Sequence, residues 1–384
     1  MPEPEREPEG PQLVDGRSGR TYPLDALRWR GDDDAPLTVS PLPGLAPGDI
    51  DGSVRSLWRY RAALPVPGDH PPVSLGEGMT PLVDGEWAGA RVRFKLEWFN
   101  PTGSFKDRGS SVMVSALAAR GVREVVEDSS GNGGSSVAAY CAAAGIGATV
   151  LVPEGTSPAK VLQTRAYGAR IAPVPGGREA TAAEALRRAG EVMYAGHNWH
   201  PYFLQGTKTL AYELWEDLGF RAPDAVVTVA GAGSTVLGCD LGFSELLAAG
   251  RIARLPRLLV AQPAACAPLH AAFRSEPVPG FGPTIAEGTA IRAPVRLPEV
   301  VTAVRRSGGD MAAIPEQDIA SAVRALAARG LYVEPTSATA AAAIGVFRAR
   351  GAIRDDGTTV VVLTGSGLKA TGVLAGLFPA DAAT

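Results

Sequence analysis

From about residue 90 onward, short β-branched runs alternate with Ala-rich helical stretches, each pair punctuated by Gly or Pro. This rhythm constrains the fold more than any other feature. Strands joined by helices run parallel in a sheet covered on both faces. The pattern predicts strands at Arg91–Leu96, Val122–Glu127, Ala148–Val152, Ala169–Val174, Ala225–Val229, Arg257–Ala261, Val300–Val304 and Thr358–Leu363. It predicts helices at Gly109–Arg120, Ser135–Ala144, Pro158–Tyr167, Ala180–Met193, Thr207–Leu218, Thr235–Ala249, Pro315–Ala328, Ser337–Ala349 and Ala370–Phe378. So many strands, with no visible internal repeat, exceed one short sheet. The expectation is an α/β chain of two lobes, each a mainly parallel sheet flanked by helices, with a cleft between them. Ligands of such folds sit beyond the carboxyl ends of the strands. Residues 13–80 are rich in Pro, Gly and Asp and read as an irregular arm laid over this body. Residues 1–12, rich in Pro and Glu, read as disordered.

Composition removes several classes of function. The chain of 384 residues carries 37 basic against 40 acidic side chains, a net charge of −3, which argues against nucleic-acid or anionic-membrane partners. No apolar run approaches the roughly 18 residues of a membrane span. The opening MPEPEREPEG lacks the basic-then-apolar order of a secretory signal, so a reducing cytoplasm is expected. Cys141, Cys239 and Cys266 are too few for a disulfide framework and lie far from the one close histidine pair, His197 and His200, so no metal site is expected. Lysine is scarce: Lys95, Lys106, Lys160, Lys208 and Lys369 are all there are. Chemistry that needs an amine of adjustable pKa has few places to sit.

Four loops fall where a strand gives way to a helix. The run Asn100-Pro-Thr-Gly-Ser-Phe-Lys106-Asp-Arg-Gly109 places a lysine at a helix start, where the macrodipole disfavours its charge and favours an imine-forming amine. Ser129-Ser130-Gly131-Asn132-Gly133-Gly134 lets backbone approach a ligand, and Asn132 offers both donor and acceptor. Gly231-Ala232-Gly233-Ser234-Thr235 combines glycines and hydroxyls at a helix N-terminus, which suits a phosphate. Its third glycine, Gly238, comes too late for the dinucleotide fingerprint. Thr364-Gly-Ser366-Gly-Leu-Lys369 supplies hydroxyls that could meet a ring nitrogen. One lysine, one phosphate cradle, one amide loop and one hydroxyl loop together describe a site for pyridoxal 5′-phosphate.

The run Asn100 to Gly109 resembles the lysine motif of the threonine synthases, within the fold-type II pyridoxal-phosphate enzymes. Further similar stretches are Trp58-Arg-Tyr-Arg, Leu75-Gly-Glu-Gly-Met-Thr80-Pro-Leu82, Leu151-Val-Pro-Glu154, Tyr167-Gly-Ala-Arg170, Gly206-Thr-Lys-Thr-Leu-Ala-Tyr-Glu213 and Glu334-Pro-Thr-Ser337. The resemblance implies an arm over 1–80, a large cofactor-binding lobe over 81–108 and 205–384, and a small mobile lobe over 109–204. It implies a carbon–oxygen lyase, a homodimer acting on a small amino-acid substrate, with Lys106 as the cofactor-bearing base. Asn132 would contact the cofactor's ring oxygen, Gly231 to Thr235 its phosphate, Thr364 and Ser366 its ring nitrogen, and Phe105 the side of the ring. Thr80, Ser129, Ser130, Gly131 and Phe203 would line the substrate.

The chain departs from that pattern in two places. The stretch Gly19 to Asp34 is similar to a zinc ribbon but holds no cysteine, which reads as a relic without metal. In Asn198-Trp-His-Pro-Tyr-Phe203-Leu-Gln-Gly206 an aromatic stands where threonine synthases often carry an arginine for the substrate's phosphate, and Gly133 stands where a hydroxyl is common. Two readings stay open. One is O-phosphohomoserine as substrate, with Arg165, Arg170 or Lys208 supplying the charge. The other is β-replacement or elimination on a different activated amino acid.

Overall fold

The computed structural model describes residues 10–278 and 280–378. The Pro- and Glu-rich start, up to residue 9, lies outside them. In chain order the elements are β1 (Gln12–Asp15), β2 (Thr21–Pro23), β3 (Leu37–Val39), β4 (Leu82–Trp87), β5 (Ala90–Leu96), α1 (Lys106–Ala118), β6 (Glu124–Glu127), α2 (Asn132–Ala144), β7 (Gly147–Pro153), α3 (Leu162–Ala166), β8 (Arg170–Val174), α4 (Arg178–Arg188) and β9 (Met193–Tyr194). There follow α5 (Pro201–Thr207), α6 (Thr209–Asp217), β10 (Ala225–Val229), α7 (Ser234–Ala248), β11 (Arg257–Pro263), α8 (Pro268–Arg274), α9 (Leu297–Arg306), β12 (Asp310–Ile314), α10 (Glu316–Ala327), α11 (Pro335–Ala342), α12 (Ile344–Ala349), β13 (Thr359–Leu363) and α13 (Thr371–Leu377).

The large sheet has the order β12-β11-β10-β13-β5-β4, parallel except for β4, which forms a hairpin with β5. The second sheet, β8-β7-β6-β9, is parallel throughout. Central strands such as β10 (AVVTV) and β13 (TVVVL) are buried at every residue, which is why they read as unbroken apolar runs. Alternate residues feed opposite faces. Val226, Val260 and Val360 join Trp215 and Phe243 on one side, while Val227, Leu259 and Val361 join Ile344 and Phe347 on the other.

Several expectations need correction. Val300–Val304 is not a strand; it lies inside α9, where Val300, Val301, Ala303 and Val304 are buried and Thr302, Arg305 and Arg306 face out. That spacing of one, three and four is helical, and it outweighs the β-branched composition. The missing neighbour of β11 is instead the Ala-containing β12. The helix expected to reach Met193 stops at Arg188, and Met193 begins β9. Pro158–Tyr167 is a 3₁₀ turn over Pro158–Val161 followed by the short α3. The arm is not irregular throughout: β2, β1 and β3 form an antiparallel sheet, with Leu13, Tyr22, Leu37 and Val39 packed into one core with Val112 and Tyr140.

Candidate active site

Strands β10, β13 and β5 are neighbours in the large sheet, and three of the four loops leave their carboxyl ends. The fourth, Ser129–Gly134, leaves the carboxyl end of β6 in the other sheet. The fold therefore gathers all four at one place, where open parallel sheets bind ligands. The first and last loops are stitched together: Phe105 N donates to Thr364 O at 3.0 Å and Ser366 N donates to Gly103 O at 3.0 Å.

Lys106 is the first residue of α1. The turn before it is fixed by Asp107, which accepts from Thr102 N at 2.7 Å, Thr102 Oγ1 at 2.6 Å and Ser136 Oγ at 2.6 Å. The next residue, Arg108, is fully buried and donates to Glu97 at 2.7 Å and to Glu213 at 2.8 Å. Glu213 also pairs with buried Lys95 at 2.6 Å. These contacts leave α1 little freedom to rotate. The Lys106 residue keeps some exposure, but its amine is enclosed, 4.7 Å from the Phe105 ring centre and 5.6 Å from that of Phe203. Burial lowers the amine's pKa to about 7; Glu127 and Glu334 pull the other way, and the Arg178 cation adds to the lowering. An amine that is half neutral near pH 7 can act as nucleophile and as proton carrier.

The glycine loop after β10 is a backbone-walled cradle. A Cβ on Gly231 would stand 3.0 Å from Gly288 O, and one on Gly233 would collide with Val300. Gly233 also holds φ at +89°, a conformation suited to glycine. Among the described residues, no protein acceptor meets the backbone N–H groups of Gly231 to Thr235. A helix start with free donors and no room for side chains fits a phosphate. At the β13 loop, Thr364 Oγ1 lies 3.1 Å from Ser337 Oγ, and Ser366 Oγ accepts from Leu368 N at 3.2 Å.

On the opposite wall, Asn132 opens α2 and its amide donates to both oxygens of Glu334 at 3.1 Å. Lys369 also reaches across, donating to Ser135 Oγ at 2.8 Å and Gln163 Oε1 at 2.6 Å. Ser129 Oγ accepts from Gly131 N at 3.4 Å, and Gly134 is required because a Cβ there would collide with Ser129 O. Behind this loop lies a pair that sequence reading missed. His197 Nδ1 is 2.7 Å from Glu127 Oε1, and both side chains are buried. Burial pushes the Glu127 carboxyl up to about 8, against the pull of Lys106. Burial, aided by the charge of Lys106, pushes the His197 imidazole well below its usual range. Glu127 and His197 are 70 positions apart, so no local motif joins them. Arg178, at the start of α4 after Gly176-Gly177, is half-buried and forms no ion pair among the described residues.

The structure brings most expected site residues together but redirects some. Thr80 donates its hydroxyl to Glu97 at 2.7 Å within the Arg108 network, so it supports α1 instead of facing a substrate. Phe203 is fully buried against Gly109, where a Cβ would stand 2.5 Å from its ring. Lys208 is buried and spent on Glu245 at 3.0 Å, while Arg165 and Arg170 are exposed. The cation whose field reaches Lys106, Glu127 and His197 is Arg178.

An enclosed lysine amine poised near neutrality, a phosphate cradle and hydroxyl and amide loops, all at the strand ends of a two-sheet α/β fold, define a pyridoxal-phosphate enzyme site. The chain belongs to the pyridoxal-phosphate dependent enzyme family, which matches residues 73–365. It is 35% identical to a threonine synthase of Methanocaldococcus jannaschii over 82% of this chain and 80% of that one. It is 36% identical to a threonine synthase of Mycobacterium leprae over 81% and 87%. Among solved structures, O-ureido-L-serine synthase superposes with a TM-score of 0.67 at 23% identity, covering 80% of this chain and 95% of that one, and shares the fold. Maize serine racemase does so with a TM-score of 0.66 at 23% identity, covering 78% and 91%. The protein is a pyridoxal-phosphate-dependent lyase related to the threonine synthases.

Proposed function

We propose that this lyase converts O-phosphohomoserine and water to threonine and phosphate. The observation that carries the reading is the Lys106 amine, held near neutrality beside the Gly231–Thr235 cradle, in a chain whose curated relatives are threonine synthases. The cofactor, when bound, supplies an aldehyde for the Lys106 amine and a ring that draws electrons from the substrate's α-carbon. The N–H groups of Gly231, Ala232, Gly233, Ser234 and Thr235 would hold its phosphate, Thr364 and Ser366 its ring nitrogen, Asn132 its ring oxygen and Phe105 its flank. Lys106 Nζ takes the α-proton and then a β-proton, the γ-phosphate leaves, the γ-carbon is protonated to a methyl, water adds its hydroxyl at the β-carbon, and the α-carbon regains its proton. Ser129, Ser130 and Gly131 orient the amino acid.

The same reading divides the chain into an arm (1–80), a large lobe (81–108 with 205–384) and a small lobe (109–204). The separate membership of β6 to β9 in their own sheet supports it. It also makes the enzyme a cytoplasmic homodimer. The three buried, free cysteines suit a reducing compartment, and no described helix is long and apolar enough to cross a membrane.

A second reading keeps the chemistry and changes the substrate to another activated amino acid. The His197 ring over Gly133 favours it, because a neutral imidazole is not a charged clamp. Incubation with O-phosphohomoserine decides between them. Stoichiometric threonine and phosphate support the first reading. Turnover of an acetylated or succinylated amino acid, with none of the phosphate ester, supports the second.

A further inference from the structure

Glu127 ends β6 with its side chain fully buried, yet only half its carboxyl is used. Oε1 meets His197 Nδ1 at 2.7 Å, while Oε2 is buried with no hydrogen-bond partner. Buried carboxyl oxygens without partners are costly and rare in a settled core. The backbone around it is made to fit the pair. A Cβ on Gly133 would stand 2.6 Å from His197 Cε1 and 2.7 Å from Nδ1, so the ring occupies the space a side chain on the amide loop would fill. Arg296 fixes the segment that follows, donating to Asn198 O at 3.1 Å and Trp199 O at 2.5 Å.

The His197 ring centre lies 5.6 Å from that of Phe203, and Lys106 Nζ lies 5.6 Å from the same Phe203 centre. The imidazole and the reactive amine thus flank one aromatic wall. Among the described residues the His197 ring makes its hydrogen bond through Nδ1, to Glu127.

We propose that His197 reads the substrate: its Nε2 hydrogen-bonds a terminal oxygen of the headgroup carried on the γ-carbon of the amino acid, with Glu127 as the positioning residue that sets which ring nitrogen carries the proton. The inference rests on the lyase reading above and names the substrate contact of that site. When Glu127 holds a proton, its O–H donates to Nδ1 and the ring's own proton sits on Nε2, which donates to the substrate oxygen. When Glu127 is ionised, Nδ1–H donates to it and Nε2 becomes an acceptor. Burial favours the first state up to about pH 8, against the opposing pull of Lys106, of the backbone N–H groups of His197 and Asp128, and of Arg178. The groups facing the pair are Lys106 on α1, Asp128 after β6, Tyr194 on β9, Arg178 on α4 and Cys141 on α2. Lys106 serves as the proton carrier of the proposed reaction, and Tyr194 donates to Asp128 at 2.8 Å. A donor toward an anionic or ester oxygen at neutral pH therefore depends on the Glu127 proton.

The test uses the holoenzyme and three non-cleavable probes: the phosphonate analogue of O-phosphohomoserine with methylene for the γ-oxygen, aminoadipate, and norvaline, which lacks the headgroup. Binding is read from the shift of the cofactor's visible band, and the ¹⁵N resonances of the His197 ring report its tautomer in cofactor-free protein. His197→Ala is expected to weaken the headgroup-bearing probe that wild type prefers at least tenfold, and norvaline less than twofold. His197→Gln should restore part of the loss and carries the comparison if the alanine variant does not fold. Wild-type affinity for the headgroup should fall as pH rises from 7 to 9, together with a tautomer change at His197; Glu127→Gln should flatten both. Equal losses for all probes, or no loss, overturn the proposal. Tight phosphonate binding that ignores His197 overturns it while leaving the O-phosphohomoserine reading intact. His197-dependent binding of aminoadipate, with none of the phosphonate, supports it and removes that reading.

Discussion

The ring of Phe203 rests on Gly109 so closely that a Cβ on the glycine would stand 2.5 Å from three of the ring carbons. Helices α1 and α5 touch at this point and again where Gly206 meets the Arg108 carbonyl. Gly109 lies three residues after Lys106, so the contact sets where the reactive amine begins its reach.

Gly109→Ala is therefore expected to force the two helices apart. Overpacking of this kind costs about 1–3 kcal/mol. A second change, Phe203→Leu, should recover part of it. Thermal melts of the two single variants and the double variant check the coupling.

Lys106→Ala should abolish the visible absorbance of the purified protein after reconstitution with pyridoxal phosphate and lower turnover by about 10²–10⁴-fold or more. Lys106→Arg should not rescue it, because a guanidinium stays charged and cannot form an imine. Absorption spectra and single-turnover assays decide.

Gly233→Ala should weaken cofactor retention. The residue holds φ at +89°, and a methyl there would collide with Val300. Strain of this kind costs about 1–3 kcal/mol. The expected readout is a tenfold or larger rise in the cofactor's Kd, measured by fluorescence titration, with the fold retained by circular dichroism.

Glu127→Gln should change stability in a pH-dependent way. The carboxyl titrates at an ordinary carboxylate value when unfolded and at about 8 when folded, because burial opposes its charge. Below the unfolded value both states are protonated and the group contributes nothing. Between that value and about 8 the folded state holds the extra proton, so wild-type stability falls as pH rises. The variant lacks this loss. Its Tm relative to wild type should rise between pH 5 and pH 8; a constant difference would contradict the assignment.

The sheet architecture was legible because β10 and β13 are wholly buried and read as apolar runs between glycine-rich turns. Val300–Val304 misled because three valines suggest a strand, while burial at Val300, Val301, Ala303 and Val304 obeys the helical period. Strand β12 was hidden by two alanines, and β4 by a half-exposed edge with little alternation. In the candidate site the four loops were legible, since each is a contiguous strand-to-helix junction. Glu127 with His197, Asn132 with Glu334 and the field of Arg178 were not. Each depends on side chains from separate elements, and nothing local marks Glu127 as buried or Arg178 as having no ion pair among the described residues. Thr80 shows the opposite limit: its motif was recognised, but its hydroxyl belongs to the scaffold under α1.

The hydrogen bonds from Asn132 to Glu334 have a consequence for every ligand of this cleft. Glu334 is an intramolecular competitor, tethered next to the amide at an effective concentration on the order of millimolar. A molecule that recruits Asn132 trades one acceptor for another, so its measured affinity is a difference between two satisfied states. Glu334→Ala would remove the rival and make weak ligands bind more tightly, with the cleft losing its power to refuse them.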